Sequence, residues 1–241
     1  MELSDNTILI TGGASGIGLA MAERFTADNK VIICGRRESA LEEAATKLPG
    51  IITRKCDLTI QGEREGLFKW IESEHPDLNV LVNNAGMQNW MSVYDTDFYT
   101  RMKEEISINI EAQLHLTSLF LNHPALTTII NVTSGLAFVP LVKTPVYSAT
   151  KAFFHSFTLS LRESVKSKNM EVIEIIPPAL NTDLGGKGIH DFAPPVSGFI
   201  EAIFTQLKEG KTTLTYQFTE TVSKAGQEVL QPVFERMNQP H

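Results

Sequence analysis

A tyrosine and a lysine stand four residues apart in PVYSATKAFFHSF, Tyr147 and Lys151, and a serine, Ser134 in IINVTSG, lies thirteen positions before the tyrosine. A phenol, an ammonium and a hydroxyl are the groups needed to move a proton to or from an oxygen while a hydride moves at its carbon. Spaced i and i+4, Tyr147 and Lys151 share one face of a helix. A free phenol has a pKa of about 10, and a nearby ammonium favours the phenolate. Alone, such a pair is an ordinary surface feature, and Ser134 an ordinary loop hydroxyl bonding its own backbone. What precedes them in the chain gives them meaning.

Near the N-terminus, TGGASGIG at 11–18 follows the apolar run TILIT and opens a helical pattern. Strand, glycine turn and helix make a phosphate cradle, because the helix N-terminus offers unpaired N–H groups and a favourable dipole. Gly12 suits the turn, Gly16 the approach of a pyrophosphate, and Gly18 close packing of helix on strand. Ser15 and Ile17 complete the candidate contacts. The spacing is GxxxGxG rather than GxGxxG.

The tip of the second strand selects the nucleotide. An acid there binds the 2′-hydroxyl of NAD, whereas an arginine suits a 2′-phosphate. Here Cys34 is followed by Gly35-Arg36-Arg37 and no acid stands at the tip. Arg36 is therefore the candidate for the phosphate, with Arg37 assisting. NADP(H) is the expected cofactor and NAD(H) the alternative, with Glu38 its ribose partner. Ser15 argues mildly for NAD, since a basic residue in the glycine loop would strengthen the NADP case. Asp57, before Leu58, suits an adenine contact or a helix cap. Asn83-Asn84-Ala85-Gly86 closes the fourth strand, with Asn83 and Ala85 as candidate contacts.

The elements that must position these groups alternate along the chain. Short apolar runs at 7–11, 31–34, 51–55, 80–83, 128–132, 172–176 and 213–216 read as strands. Amphipathic stretches at 16–27, 38–48, 61–74, 96–121, 146–167 and 196–208 read as helices. Alternating βαβ units imply one Rossmann-like, doubly wound parallel α/β sheet of about seven strands in a single domain over 1–241. Residues 217–241 form a C-terminal helical extension in which Pro232 would kink or interrupt the helix. It is read either as packing on its own core or as a subunit contact or cover over the substrate site.

The 241-residue chain carries a net charge of −7 with scattered lysines and arginines, which argues against nucleic-acid or anionic-membrane partners. No window approaches a membrane span and the N-terminus has no signal-peptide pattern, so a cytoplasmic location is expected. Two lone cysteines, Cys34 and Cys56, give no metal-ligand spacing, and no metal is expected.

TGGASGIG, Asp57, the NNAG at 83–86, Asn109, Ser134, the YSATK at 147–151 and Thr182 together resemble the short-chain dehydrogenase/reductase family over roughly 7–216. EIIPPALNTDL and VFERMN resemble its DltE-like branch. The resemblance implies that Lys151 also grips the nicotinamide ribose, that Asn109 holds a relay water, and that Ser134 polarises the substrate oxygen. Tyr147 would donate the proton as hydride leaves the nicotinamide, or accept it in alcohol oxidation. Pro177-Pro178 replaces the family's usual Pro-Gly, so the loop carrying Pro177 and Thr182 is expected to be stiffer. A small carbonyl or alcohol substrate is expected in an apolar pocket from 87–96, 135–146 and 183–196, including Trp90, Phe138, Val139 and Phe192, with the last segment a glycine-hinged lid. A homodimer or homotetramer is implied, with Leu114, Leu116, Phe120, Phe153, Phe154 and Phe157 as its face. The competing reading is a non-catalytic dinucleotide sensor.

Overall fold

Seven strands run parallel in one sheet of order β3-β2-β1-β4-β5-β6-β7: β1 Thr7–Thr11, β2 Lys30–Gly35, β3 Ile52–Lys55, β4 Val80–Asn83, β5 Thr128–Val132, β6 Glu171–Ile176 and β7 Thr213–Thr215. The computed structural model describes residues 1–239. Strands of continuous Ile, Leu and Val form because both faces of the sheet are covered. On β1, Ile8 and Ile10 enter one core with Phe25, Ile33 and Phe199, while Leu9 enters the other with Ile32, Leu67, Leu81 and Phe120. Full burial of each such side chain contributes about 1.5–3 kcal/mol.

The first core is roofed by α1 (Gly16–Phe25), α2 (Glu38–Lys47) and α7 (Val196–Lys208), and the second by α3 (Gln61–Glu74), α5 (Ala112–Phe120) and α6 (Pro145–Ser164). Phe25 and Phe204 seal α1 to α7 with ring centroids 4.7 Å apart. Strand order reverses between β1 and β4, so the carboxyl ends of these strands open a crevice at the switch point. Thr11, Asn83 and Ser134 all lie at that edge.

The expected helix over 96–121 is divided. α4 (Phe98–Ile106) passes through a π turn, Ser107–Glu111, into α5. There the Ala112 N–H reaches the Ser107 carbonyl, five residues back. Hydrophobic periodicity does not reveal one inserted residue, and such turns concentrate at functional sites. Asn109 lies at its centre.

The C-terminal extension is two helices, α8 (Phe218–Val222) and α9 (Gln227–Met237), separated at Gly226. Val222 enters the core, whereas α9 has no fully buried residue and runs through Pro232. Its end is tied down by Asn238, whose Nδ2 donates to the Pro140 carbonyl at 3.0 Å and whose Oδ1 accepts from the Val142 N–H at 2.7 Å. The helix thus docks on the segment joining Ser134 to Tyr147. It reaches that segment through Asn238 rather than through a buried apolar face.

Candidate active site

The glycine loop is braced from below by β4. Thr11 Oγ1 donates to the Val82 carbonyl and accepts from the Asn84 and Ala85 N–H groups, each at about 3.0 Å, while Asn84 Nδ2 donates to the Thr11 carbonyl at 2.9 Å. Gly12 turns at φ +64°, and a Cβ there would lie 2.9 Å from Ala85 Cα. A Cβ on Gly18 would run into the Gly12 carbonyl, the close helix–strand packing expected of that glycine. Ser15 caps α1 from extended backbone without a side-chain bond, so the first-turn N–H groups of Gly16, Ile17 and Gly18 have no side chain stopping them. Gly16, at φ +53°, faces Thr182, whose Cγ2 would stand 3.5 Å from an added Cβ. An open, uncapped helix end roofed by a hydroxyl-bearing residue fits a dinucleotide pyrophosphate.

At the far end of the crevice Arg36 and Arg37 are exposed beyond β2. Among the described residues neither forms an ion pair, whereas Glu38 pairs with Lys55 at 3.1 Å. Burial raises the Asp57 pKa, but the Thr59 hydroxyl and N–H and the charge of Arg36 outweigh it and hold the carboxyl below its ordinary value. Asp57 Oδ1 accepts both Thr59 bonds, at 2.7 and 3.0 Å, so it caps the turn before α3. The Leu58 side chain is core, and its carbonyl accepts from the buried Arg64. The Asn83 side chain is turned inward, donating to Thr117 Oγ1 at 3.0 Å and Asn131 Oδ1 at 2.9 Å. It braces the centre of the sheet, and Asn84 braces the loop.

Ser134, Tyr147 and Lys151 converge past β5, each at most 8% exposed. α6 begins with Pro145 in its first turn, which suits proline's fixed φ. Lys151 Nζ donates to the Val132 carbonyl at 2.8 Å and lies 5.6 Å from the Tyr147 ring centroid. Burial lowers the Lys151 pKa to about 8. Burial pushes the Tyr147 phenol well above its ordinary value; the Ser134 hydroxyl pulls down and Glu105 adds to the rise. Tyr147 is thus a neutral phenol in the free protein. Asn109 Oδ1 accepts from the Met87 N–H at 2.9 Å, and its Nδ2 donates to the Met87 carbonyl and to Thr150 Oγ1 at 2.9 and 3.1 Å. Its side chain is largely committed to the chain leaving β4. Pro177 accepts from the Gly135 N–H at 2.9 Å, tying the loop after β6 to the Ser134 turn.

Comparison with known proteins decides what this constellation belongs to. The family model described as short chain dehydrogenase matches residues 6–191. This chain belongs to the short-chain dehydrogenase family. It is 41% identical to an uncharacterized oxidoreductase, DltE, of Bacillus subtilis (strain 168), across 99% of this chain and 98% of that one. It is 32% identical to a serine 3-dehydrogenase of Agrobacterium fabrum, across 73% of each. A short chain dehydrogenase of Burkholderia cenocepacia J2315, solved in complex with NADP, superposes with a TM-score of 0.85 over 100% of both chains at 21% identity.

As a short-chain dehydrogenase the chain is an oxidoreductase of CH–OH and C=O groups, and several of its site features were not foreseen. Glu174, fully buried in β6, accepts from Thr133 Oγ1 at 2.8 Å and contacts His155 Nδ1 at 2.8 Å. The His155 ring lies 4.6 Å from that of Phe138, in the segment joining Ser134 to Tyr147. His155 had no acid near it in sequence; the sheet supplies one. Two expected pocket residues do not line a pocket: Val139 is 0% exposed, in the core, and Phe192 is 80% exposed. The 183–196 segment carries three positive-φ glycines, Gly185, Gly186 and Gly188, and His190 Nε2 in it lies 3.2 Å from Gln88 Oε1. No helix among the described residues is long and apolar enough to cross a membrane.

Glu105 is the least expected member. It is 0% exposed, and burial raises its pKa from 4.5 to about 7 despite the Asn89 N–H and Arg101. A carboxyl whose folded pKa is raised stabilises the fold fully below its unfolded value and loses that stability as pH climbs through the folded one. The window here is pH 4.5 to about 7. Glu105→Gln is therefore expected to melt higher than wild type at pH 8, by on the order of 2 kcal/mol, and to match it at pH 4.5. Thermal denaturation at the two pH values checks this.

Proposed function

We propose that this short-chain dehydrogenase uses NADP(H) to interconvert a small carbonyl compound and its alcohol, with Tyr147 as general acid/base. The observation that carries the reading is the buried cluster of Tyr147, Ser134 and Lys151 at the same strand edge as the open glycine loop. When bound, the nicotinamide supplies or receives the hydride. The N–H groups of Gly16, Ile17 and Gly18, together with Thr182, hold the pyrophosphate, and Arg36 with Arg37 holds the 2′-phosphate. The NADP carried by the Burkholderia relative agrees with that choice. Ser134 donates to the substrate oxygen. Tyr147 gives that oxygen its proton, and its neutral resting state favours reduction. The ammonium of Lys151 then stabilises the phenolate left behind.

In this reading the substrate sits between 87–96, 135–146 and 183–196, the last a glycine-hinged lid, with α9 behind the second. The name of the Agrobacterium relative places 3-hydroxy amino acids in the first panel. The decisive experiment follows NADPH consumption with aldehydes, ketones and 3-oxo acids, and NADP⁺ reduction with serine. Turnover in any arm is the expected result. Tight cofactor binding without turnover in every arm would favour a dinucleotide sensor instead.

Self-association through the outer faces of α5 and α6 is part of this reading, as is a cytosolic setting for two free, buried thiols. Phe153 and Leu159 are each 46% exposed on α6. Leu116, Phe120 and Phe154, expected on that face, are instead buried in the protomer's own core. Leu114 and Phe157 line an open groove with Leu121 and remain available.

A further inference from the structure

Three polar side chains at four-residue intervals on the α4–π–α5 rod grip alternate residues of the chain leaving β4. Gln113 Nε2 donates to the Ala85 carbonyl. Asn109 takes both the N–H and the carbonyl of Met87. Glu105 Oε1 accepts from the Asn89 N–H at 2.6 Å. Four helical residues advance about 6 Å and two extended residues about 6.6 Å, so the two repeats keep step. The wider π turn keeps 105, 109 and 113 on one face, where an unbroken α-helix would drift.

Two members of this clasp are amides and one is an acid. A buried amide would accept the Asn89 N–H equally well without the cost of a buried charge. Glu105 Oε2 has no hydrogen-bond partner among the described residues. The groups that face this carboxyl are few. Its own helix offers Arg101, and α6, packed against α4, offers Tyr147. Lys151 lies farther along α6, beside Gly86 and Asn109. The chain from Gly86 to Met91 offers backbone and uncharged side chains only.

We propose that Glu105 is a positioning residue of the reaction: one oxygen fixes Asn89 and the chain leaving β4, and its charge acts on the Tyr147 phenol across the α4–α6 interface. The proposal rests on the reading of Tyr147 as the acid/base. An ionised Glu105 opposes the phenolate, keeping Tyr147 protonated and suited to donate. At lower pH, with Glu105 neutral, that opposition is released. A stranded carboxyl near a reacting group, kept at a cost in stability, is the pattern of a tuned site rather than a packing one.

The test is a tyrosinate absorbance titration of wild type, Glu105→Gln and Tyr147→Phe, each free and loaded with NADP⁺. Subtracting the Tyr147→Phe signal isolates Tyr147. Glu105→Gln keeps the bond to Asn89, and its Tyr147 midpoint should fall by roughly 0.5–1 pH unit. An unchanged midpoint overturns the proposal while leaving Tyr147 as acid/base. In the NADP⁺-loaded protein, where the positive charge of the nicotinamide favours the phenolate, a wild-type signal identical to that of Tyr147→Phe overturns both. As a second measurement, Glu105→Ala, which loses the bond to Asn89, should show a KM several-fold above that of Glu105→Gln, which keeps it; equal KM values in the two variants would remove the positioning of Asn89.

Discussion

Replacing Tyr147 with phenylalanine is expected to lower turnover of any carbonyl or alcohol substrate by about 10²- to 10⁴-fold, the usual contribution of a positioned general acid. The change removes one oxygen from a side chain that is 6% exposed and leaves its ring in place beside Lys151. Cofactor affinity should stay within about two-fold, because the uncapped α1 terminus and Arg36 carry the binding. Measuring kcat together with nicotinamide fluorescence separates the two quantities. Turnover that survives the substitution would move the proton-transfer role elsewhere; the neighbouring candidate is Ser134, whose hydroxyl already accepts the Leu136 N–H at 3.1 Å.

Arg36→Ala is expected to weaken NADPH binding by roughly 10- to 100-fold, the range of a charge-assisted hydrogen bond lost from a phosphate. NADH binding should not change. The asymmetry follows from the surroundings of the β2 tip, where Arg36 and Arg37 are free of ion pairs among the described residues and Glu38 is held by Lys55. Parallel fluorescence titrations with both cofactors read it directly. NADH that binds wild type as tightly as NADPH would return Glu38 to the role of ribose partner and put the arginines on the solvent side.

The strands were legible because buried parallel β-structure writes itself as unbroken Ile and Val; VLVN at 80–83 matches its strand to the residue. TGGASGIG was legible because glycine marks where no Cβ fits, as the Gly12 and Gly18 contacts show. What escaped was set by depth and by distance across the fold. Asn83 looked like a ligand residue, yet it reaches Asn131 across a strand pairing that only the sheet order creates. Phe154 and Phe153 are neighbours with opposite fates, one in the core and one outside, because α6 is apolar around much of its circumference. Glu174 and His155 lie nineteen residues apart and meet only where β6 passes under α6. Glu105, Asn109 and Gln113 stand among other polar residues, Glu104, Ser107, Glu111 and His115, so their four-residue interval becomes visible only with the π turn that aligns them.

That interval works as a ruler. The rod fixes how much chain may lie between Ala85 and Asn89, since lengthening this stretch by one residue would unseat every grip beyond the insertion. Past Met91 no such gauge applies: the bends around Val93 and Tyr94, 58% and 93% exposed, lie outside the clasp. The chain after Met91 can therefore be lengthened or reshaped without moving the grips on Ala85, Met87 and Asn89. Novelty is confined to one side of a fixed mark, and chemistry is kept on the other.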